Sequence, residues 1–131
     1  MTRQINVVGA VLIHDGRILC AKRGENSSLA GLWEFPGGKI EESESPSAAL
    51  IREIREELAI LVEVGDEITT TSYEYYFGVV NLTTFYCTLV SGVPVPLEHS
   101  EITWMLPRDL MAVEWAPADI PAVARIQLDM A

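Results

Sequence analysis

The sequence contains little cysteine, and it contains no long apolar run. Two of its 131 residues are cysteine, Cys20 and Cys87, and each lies in a short apolar segment, where a small buried thiol is common. It has no C-x-x-C spacing, no recognisable signal peptide and no apolar run long enough to cross a bilayer. These absences exclude a disulfide scaffold, and we expect a cytoplasmic protein without a membrane partner.

Basic residues are also scarce. Lysine and arginine number nine, aspartate and glutamate number nineteen, and the formal net charge is -10. Such a charge repels nucleic-acid backbones and anionic membranes, so we expect no nucleic-acid partner. An acidic protein can still bind a polyphosphate when a divalent cation neutralises both the ligand and the carboxylates beneath it. The charge balance therefore points to a metal ion.

The chain length and a hydrophobic content of 49% predict one domain, residues 1–131, with a substantial core. A hairpin opens this domain, because apolar strands over Ile5–Ile13 and Arg17–Lys22 flank the turn pair Asp15-Gly16. Further strands rich in β-branched and aromatic residues are predicted over Ile60–Val64, Ile68–Tyr76, Val80–Val90 and Ile102–Leu106.

Two helices complete the predicted fold. Ser45 and Pro46 are an N-cap and a first helical residue for a helix over Ala48–Leu58, and a closing helix is predicted over Pro117–Asp129. Glycine, proline and small polar residues mark 24–38 and 91–99 as loops. This order of elements predicts an α/β sandwich around a mixed sheet.

Three glutamates crowd one face of the first helix. Glu53, Glu56 and Glu57 stand at i, i+3 and i+4, and each like-charged pair costs an exposed helix about 0.2–0.5 kcal/mol. The apolar stripe that faces the core lies elsewhere on the helix and consists of Leu50, Ile51, Ile54 and Leu58. A hard divalent cation would remove the repulsion. For the helix alone, the alternative is a solvated face on which Arg52 pairs with Glu56.

A longer motif contains this helix, and it runs Gly38-x5-Glu44-x7-Arg52-Glu53-Ile54-Arg55-Glu56-Glu57-Leu58-Ala59-Ile60. The pattern resembles the Nudix box, G-x5-E-x7-R-E-U-x-E-E-x-G-U with U aliphatic, and every charged position matches. The one departure is Ala59, where the family usually has glycine and where a left-handed backbone would cost alanine about 1 kcal/mol. We expect altered helix-end geometry with activity retained, and a non-catalytic member of the family is the alternative.

The resemblance extends beyond the box. The segment 32–39 is similar to the entry loop of MutT-like and CTP pyrophosphohydrolase-like Nudix enzymes, and the segment 115–121 resembles their C-terminal base-binding segment. The resemblance implies a Nudix-type α/β/α sandwich, with a mixed β-sheet and the Nudix helix. It also implies an enzyme that hydrolyses a phosphoanhydride, for which positioning, charge neutralisation and water activation are the main needs.

The resemblance assigns the metal site to the box. It implies that Glu53, Glu56 and Glu57 bind Mg²⁺, for which Mn²⁺ can substitute, and that the carbonyl of Gly38 is a further ligand. Arg52 would orient these glutamates rather than touch the substrate, because its rigid guanidinium suits an ion pair behind the ligands.

Outside the helix, Glu98 matches the place of a loop glutamate that joins the metal shell or helps to deprotonate water in MutT-like enzymes. Glu101 is its neighbouring competitor, and on sequence alone either can be a solvated loop acid. Glu44 is interpreted as a positioning residue, and His99 is predicted to lie on the surface.

Substrate contacts are predicted from the loops around the box. Arg23 and Lys39 are the best candidates for binding phosphates, because both flank the entry loop and basic residues are scarce. Glu34, within that loop, is a further candidate substrate contact. Four apolar residues are candidates for the walls of a base pocket, with membership of the core as the alternative: Trp33, Tyr75, Phe77 and Leu82.

Asp119 is the candidate for reading the base. MutT-like enzymes that choose oxidised guanine often carry asparagine there, whereas the Pro-Ala-Asp-Ile-Pro version resembles CTP pyrophosphohydrolases. An ionised aspartate only accepts hydrogen bonds and suits the exocyclic amine of cytosine, although it also accepts from guanine N1–H and N2–H₂. The alternative role for Asp119 is an N-cap of the last helix.

The expected function is therefore Mg²⁺-dependent hydrolysis of a nucleoside triphosphate to the monophosphate and pyrophosphate, on (d)CTP or a modified cytosine nucleotide. The alternatives are a MutT-type enzyme acting on 8-oxo-dGTP, a hydrolase of another nucleoside diphosphate derivative, and a nucleotide-binding domain without turnover. The expected partner is the nucleotide substrate, and the sequence leaves a monomer and a homodimer open.

Overall fold

The computed structural model of this protein describes residues 2–131. In chain order its elements are β1 (Gln4–His14), β2 (Arg17–Lys22), β3 (Trp33–Glu34), β4 (Gly37–Lys39), α1 (Pro46–Leu58), β5 (Leu61–Tyr75), β6 (Gly78–Ser91), β7 (Glu101–Met105) and α2 (Ile120–Asp129). Two short 3-10 helices, Pro107–Ala112 and Pro117–Asp119, lie between β7 and α2.

Within the described residues, the strands form one mixed sheet in the order β3-β2-β1-β6-β5, with β4 paired to β1 and β7 paired to β2. β1 runs parallel to β6, from the pair Gln4 and Val79 to the pair Ile13 and Thr88. The other strand pairs are antiparallel. The parallel pair places β1 at the centre of the sheet, with β4 and β2 along its other edge.

The two faces of the sheet bury different cores. Because side chains alternate along a strand, β1 sends Val8 and Leu12 into one core and Val11 into the other. The first core contains the buried stripe of α1, including Leu50, and the second contains residues of α2, including Val123. The predicted α/β/α sandwich with a mixed sheet is confirmed.

The start of α1 follows the sequence signals, and its end shows how alanine replaces the usual glycine. The Ser45 hydroxyl accepts a hydrogen bond from the Ala48 amide at 3.1 Å, and Pro46 is the first helical residue. Ala59 takes the left-handed conformation, with φ 58° and ψ 35°, and its amide donates to the Arg55 carbonyl at 3.0 Å. The expected alteration of the helix end is therefore wrong, because the backbone keeps the geometry that glycine favours and alanine bears the strain.

Several element boundaries differ from the sequence prediction. The two strands predicted over Ile60–Val64 and Ile68–Tyr76 are one strand, β5, whose pairing with β6 shifts register on both sides of Glu67. Such a bulge accommodates extra residues without ending the strand. The predicted loop 24–38 contains β3 and the start of β4, because backbone pairing with β2 and β1 overrides its irregular composition.

The C-terminal region and the cysteines complete the comparison. The short helix Pro107–Ala112 was not predicted, and the closing helix predicted over Pro117–Asp129 is a 3-10 turn followed by α2.

Cys20 and Cys87 are buried free thiols, as the sequence predicts. Burial raises the pKa of each thiol to about 12. No helix among the described residues is long and apolar enough to span a membrane.

Candidate active site

One pocket, of about 320 Å³, collects most of the residues that the sequence nominates for substrate binding. We call it the central pocket, and the nominated residues that line it are Arg23, Glu34, Lys39, Tyr75, Phe77, Leu82 and Asp119. Gly38 and Glu57 of the Nudix-like motif line the same pocket. The folded chain thus joins the motif to segments far from it in sequence.

The three glutamates of α1 occupy different environments although they share one helical turn. Glu57 is buried, at 7% exposure, whereas the side chain of Glu53 is 17% exposed and that of Glu56 is 58% exposed. Glu57 turns inward, and its Oε1 accepts a hydrogen bond from the Gly37 amide at 3.0 Å. The motif therefore presents one buried and two more accessible carboxylates.

Arg52 organises the acids around it. Its Nε and Nη2 donate to Glu44 Oε2 and Oε1 at 2.8 and 2.9 Å, which is the paired geometry that a planar guanidinium favours. Nη1 donates to Glu53 at 2.9 Å and to Glu56 at 3.4 Å, and Nη2 also donates to the Lys39 carbonyl. Hydrogen bonding to Arg52 lowers the pKa of Glu44 to about 2. Arg52 thus ties the helix to β4 and holds two of the three helix glutamates.

Glu57 lacks such a partner. Among the described residues, no lysine, arginine or histidine forms an ion pair with it. Burial raises its pKa to about 9, and the nearby charges of Glu34, Glu98 and Glu53 act in the same direction. Burial also raises the pKa of Glu53, with contributions from Glu56 and Glu98. This part of the protein concentrates negative charge that its own cations do not neutralise.

Glycines in β4 let the backbone and the carboxylates approach each other closely. A Cβ atom on Gly38 would lie 2.3 Å from the carboxylate of Glu53, and one on Gly37 would lie 1.9 Å from the Val8 carbonyl oxygen. No side chain fits at either distance. The backbone of β4 can therefore serve as one wall of a site that Glu53 and Glu57 face.

This donor set fits a divalent cation in its chemistry. Carboxylate oxygens and a backbone carbonyl are the ligands that Mg²⁺ prefers, and a cation would offset the burial and the neighbouring carboxylates that together raise the pKa of Glu57. The arrangement differs from a finished coordination shell, because within residues 2–131 no three His, Cys, Asp or Glu side chains are placed to hold a metal ion together. Glu53 and Glu56 instead direct oxygens at Arg52.

The loop before β7 brings Glu98 toward the helix glutamates. A second cleft, of about 440 Å³, is lined by Glu57, Glu98, Arg23 and Glu34 among others, and we call it the acidic cleft. The loop is anchored to the end of α1, since the Leu97 amide donates to the Glu57 carbonyl at 3.1 Å. Glu101, the alternative to Glu98, is exposed at the start of β7 and is not part of this lining.

Asp119 is a buried residue in the lining of the central pocket. Its Oδ2 accepts a hydrogen bond from the Phe35 amide at 3.0 Å, and its Oδ1 has no hydrogen-bond partner among the described residues. Burial raises its pKa well above the usual range, and the charge of Glu34 adds to this effect. The alternative role of Asp119, an N-cap of the last helix, is contradicted, because its side chain makes no capping hydrogen bond to α2. The carboxyl group therefore keeps one oxygen for a ligand.

Aromatic and apolar residues form the walls of the central pocket. Tyr75 and Phe77 stack with ring centroids 5.2 Å apart, and both line the pocket with Leu82. The Tyr75 hydroxyl accepts a hydrogen bond from the Ala118 amide at 2.8 Å, which fixes the ring beside the Asp119 segment. Trp33, the fourth candidate wall residue, instead packs in the core on the α2 side. The pocket thus offers flat apolar surfaces next to one buried carboxyl group.

The structure also adds residues that the sequence analysis missed. Arg3 and Ser28 line the central pocket, and nothing in their sequence context indicates a site. The side chain of His99 is buried rather than exposed, with 5% of it accessible, and its Nε2 lies 2.9 Å from Glu34 Oε2. The prediction of a surface position for His99 is therefore wrong, because a contact with β3, distant in sequence, covers the ring.

Comparison with known proteins agrees with this geometry. A family profile described as the NUDIX domain matches residues 3–126. The CTP pyrophosphohydrolase of Escherichia coli (strain K12) is 40% identical over 119 residues, which cover 91% of this chain and 88% of that protein. The chain belongs to the Nudix family. Nudix hydrolases generally use divalent metal ions, which agrees with the crowded carboxylates of α1.

Other Nudix relatives extend the comparison. The 8-oxo-dGTP diphosphatase of Escherichia coli (strain K12) is 29% identical over 120 residues, covering 92% of this chain and 93% of that protein. The solution structure of the DNA mismatch repair protein MutT (family Nudix hydrolase) from methicillin-resistant Staphylococcus aureus 252 has a TM-score of 0.81 and 51% identity. That match covers 98% of this chain and 99% of the other. The protein is a Nudix hydrolase with pyrophosphohydrolase relatives.

Proposed function

We propose that this Nudix hydrolase splits a nucleoside triphosphate into the monophosphate and pyrophosphate, with Mg²⁺ as its metal and a cytosine nucleotide as its preferred substrate. The observation that carries the proposal is the central pocket, whose lining includes the buried carboxyl group of Asp119 with one unpaired oxygen. Glu57 and Gly38 of the motif lie in the same pocket. A nucleotide is the class of ligand that has a flat base at one end and a polyphosphate at the other.

The proposed metal site uses the acids around α1 and the backbone of β4, namely Glu53, Glu56, Glu57, Glu98 and the carbonyl of Gly38. A bound Mg²⁺, or Mn²⁺ in its place, supplies positive charge toward the polyphosphate and makes a nearby water more acidic. Arg52 keeps the glutamates in register with β4 through its bonds to Glu44 and the Lys39 carbonyl.

The remaining groups bind and orient the substrate. Arg23 and Lys39 provide positive charge in the central pocket, where the phosphates need it most because the chain is acidic overall. Phe77 and Leu82 hold the base between apolar surfaces, with Glu34 at the side of the pocket. Catalysis then depends on positioning and charge neutralisation, which are the main requirements of phosphoryl transfer.

Base selection is assigned to Asp119. Its raised pKa favours a neutral carboxyl group, which can accept from the exocyclic amine of cytosine and donate to N3. An ionised carboxylate has no proton to donate and suits the two adjacent donors of guanine, N1–H and N2–H₂. The 40% identity to a protein named CTP pyrophosphohydrolase supports the cytosine assignment.

Hydrolysis of 8-oxo-dGTP is the second candidate. A relative that covers nearly the whole chain is named for this activity, and the ionised form of Asp119 matches guanine donors. The two candidates share the metal site and differ in the protonation state of one carboxyl group.

Pyrophosphate release with Mg²⁺ tests the proposal on CTP, dCTP, 5-methyl-dCTP, dGTP, 8-oxo-dGTP, ATP and ADP-ribose. We expect the highest kcat/KM with a cytosine nucleotide. Preference for 8-oxo-dGTP would overturn the base assignment and keep the mechanism, preference for ADP-ribose would move the chain to another substrate class, and no turnover with any of them would contradict the proposal.

Substitution of Asp119 tests the base assignment directly. Asp119→Leu should lower the preference for CTP over 8-oxo-dGTP about tenfold or more, since one specific base contact discriminates by about 1–3 kcal/mol. In the unaltered enzyme the same ratio should fall as pH rises and Asp119 ionises, because a raised pKa keeps the group neutral only on its acid side. Asp109→Asn, at an exposed position, is the control. If neither Asp119→Leu nor a rise in pH alters the preference for CTP over 8-oxo-dGTP, the role of Asp119 is contradicted.

A further inference from the structure

The two histidines of the chain have opposite surroundings. His14 lies next to the β1–β2 turn with 53% of its side chain exposed, and its nearest acid is Asp15 at 3.5 Å. His99 has 5% of its side chain exposed and lies 2.9 Å from Glu34 through Nε2. Its other nitrogen, Nδ1, is buried and has no hydrogen-bond partner among residues 2–131. Burying an unpaired ring nitrogen costs stability, so packing alone does not account for an imidazole here.

The bond from His99 completes the enclosure of one carboxylate. Glu34 Oε2 meets His99, while Oε1 accepts a hydrogen bond from Arg23 Nη1 at 2.9 Å. Arg23 is itself fixed, because its Nε donates to the Ser28 carbonyl at 2.6 Å and its Nη2 donates to the Ser28 hydroxyl at 3.2 Å. The result is a chain of contacts from the loop before β7, through Glu34, to the loop after β2.

Glu34 lies where the two cavities meet. Both Glu34 and Arg23 line the central pocket, and both also line the acidic cleft that contains Glu57 and Glu98. Pairing of β3 with β2 holds the backbone of Glu34, but it does not fix the orientation of so long a side chain. Side-chain contacts must set its orientation, and His99 and Arg23 are the groups that hold its two oxygens.

We propose that His99 is a positioning residue for substrate binding, which donates from Nε2 to Glu34 and so holds Glu34 and Arg23 in the orientation that receives the nucleotide. This inference rests on the proposed function, because it concerns the same pocket. It assigns His99 no contact with the reacting phosphate. A group that acts in this way should change substrate affinity more than the rate of the chemical step.

Three substitutions of His99 separate positioning from packing. Leucine fills the space without a donor, glutamine places an amide nitrogen near the position of Nε2, and asparagine places one near Nδ1, out of reach of Glu34. We expect His99→Leu and His99→Asn to raise the KM for CTP and the Kd for CMP about tenfold, with kcat changed less than about threefold. His99→Gln should restore most of the affinity. His14→Gln is the matched control, and it should leave KM and kcat unchanged.

Two further measurements test the contact itself. Nitrogen-15 NMR of the histidine rings should show His99 protonated at Nε2, and Glu34→Gln should shift that signal while leaving the His14 signal in place. Because Glu34 and His99 act as a unit, adding His99→Leu to Glu34→Ala should raise KM no further than Glu34→Ala alone.

Equal loss of affinity in the leucine and glutamine variants, or unchanged KM in His99→Leu with normal turnover of CTP, would overturn the role of His99 and leave the proposed function in place. A large fall in kcat at constant KM would also overturn it, since that result assigns His99 to the chemical step. Absence of turnover in the unaltered protein with every nucleotide would overturn the proposed function and this inference together.

Discussion

Two acids of the Nudix motif, Glu44 beside Arg52 and Glu57 away from it, behave in opposite ways. Arg52 holds both oxygens of Glu44 and lowers its pKa to about 2, whereas Glu57, further along α1, has no cationic partner among the described residues and a pKa of about 9. Asp119, in the central pocket, belongs with Glu57, because burial raises its pKa as well. The difference teaches that Arg52 pairs fully with the acid that precedes the helix, whereas the buried carboxyl groups of Glu57 and Asp119 have no cationic partner among the described residues.

The largest expected effect comes from removing the unsatisfied helix acid. Glu57→Gln should lower kcat about 100-fold or more, because a charged ligand for the proposed metal is lost. The same change should raise the melting temperature of the metal-free protein at pH 8. Glu57 binds its proton more tightly in the folded state, so its contribution to stability falls between the unfolded pKa of about 4.3 and the folded pKa of about 9.

Glu63→Gln, at an exposed position on β5, is the control for both measurements. Steady-state kinetics and thermal unfolding without metal would be read side by side. Full activity in Glu57→Gln would contradict its role as a ligand of the proposed metal. A lower melting temperature together with lost activity would show that Glu57 acts through packing.

The next effect concerns pH. If Glu57 must release its proton to bind a cation, Mg²⁺ affinity should rise about tenfold per pH unit up to the pKa of about 9. Isothermal titration calorimetry at pH 6, 7 and 8 in buffers of different ionisation enthalpy would measure both the affinity and the proton released. Glu57→Gln should show a weaker, flatter dependence. Constant affinity across this range in the unaltered protein would contradict the raised pKa.

A smaller effect is expected from weakening the contact between Arg52 and Glu44. Arg52→Lys keeps the charge but loses the fork that holds both oxygens of Glu44, so kcat should fall about tenfold while the fold persists. Arg55→Lys, an exposed position on the same helix, should change kcat little. Equal activity of the two variants would show that the geometry of Arg52 does not matter.

The smallest effect concerns the helix end. Ala59→Gly should raise the free energy of unfolding by about 1 kcal/mol, because glycine adopts the left-handed conformation without the alanine penalty. Ala124→Gly, in the interior of α2, should lower stability by a similar amount. Denaturant unfolding measures both, and activity should be unchanged in each. A destabilised Ala59→Gly variant would contradict the strain.

The difference between the two kinds of acid also explains what could be predicted. The motif from Gly38 to Ala59 is contiguous, so its helix, its Ser45 cap and the crowding of its glutamates follow from spacing alone. The pocket around Asp119 depends on a hydrogen bond to Phe35, 84 positions away, and the sequence gives no register for that contact. Asp119 was nominated from the resemblance, and its alternative role as a helix cap is contradicted.

His99 and Trp33 show the same limit at single positions. Each was interpreted from its neighbours in sequence, yet a partner from another segment decides its burial: Glu34 for His99 and the core beneath α2 for Trp33. The continuous β5 is a third case, because a bulge is visible only once β6 provides the pairing. The local sequence pattern predicts helices and strands well. It predicts a contact between two residues only where one motif contains both of them.

The parallel pairing of β1 with β6 has a consequence for folding kinetics. Gln4 meets Val79 and Ile13 meets Thr88, so the centre of the sheet forms only after a long loop closes. α1, by contrast, can form from local contacts. Chains with many non-local contacts fold slowly, so we expect a slow main phase that reports on the β1–β6 ladder. During synthesis, the edge of β1 that pairs with β6 therefore has no partner until residues 79–88 have been made, although β2 and β4 can already pair with β1.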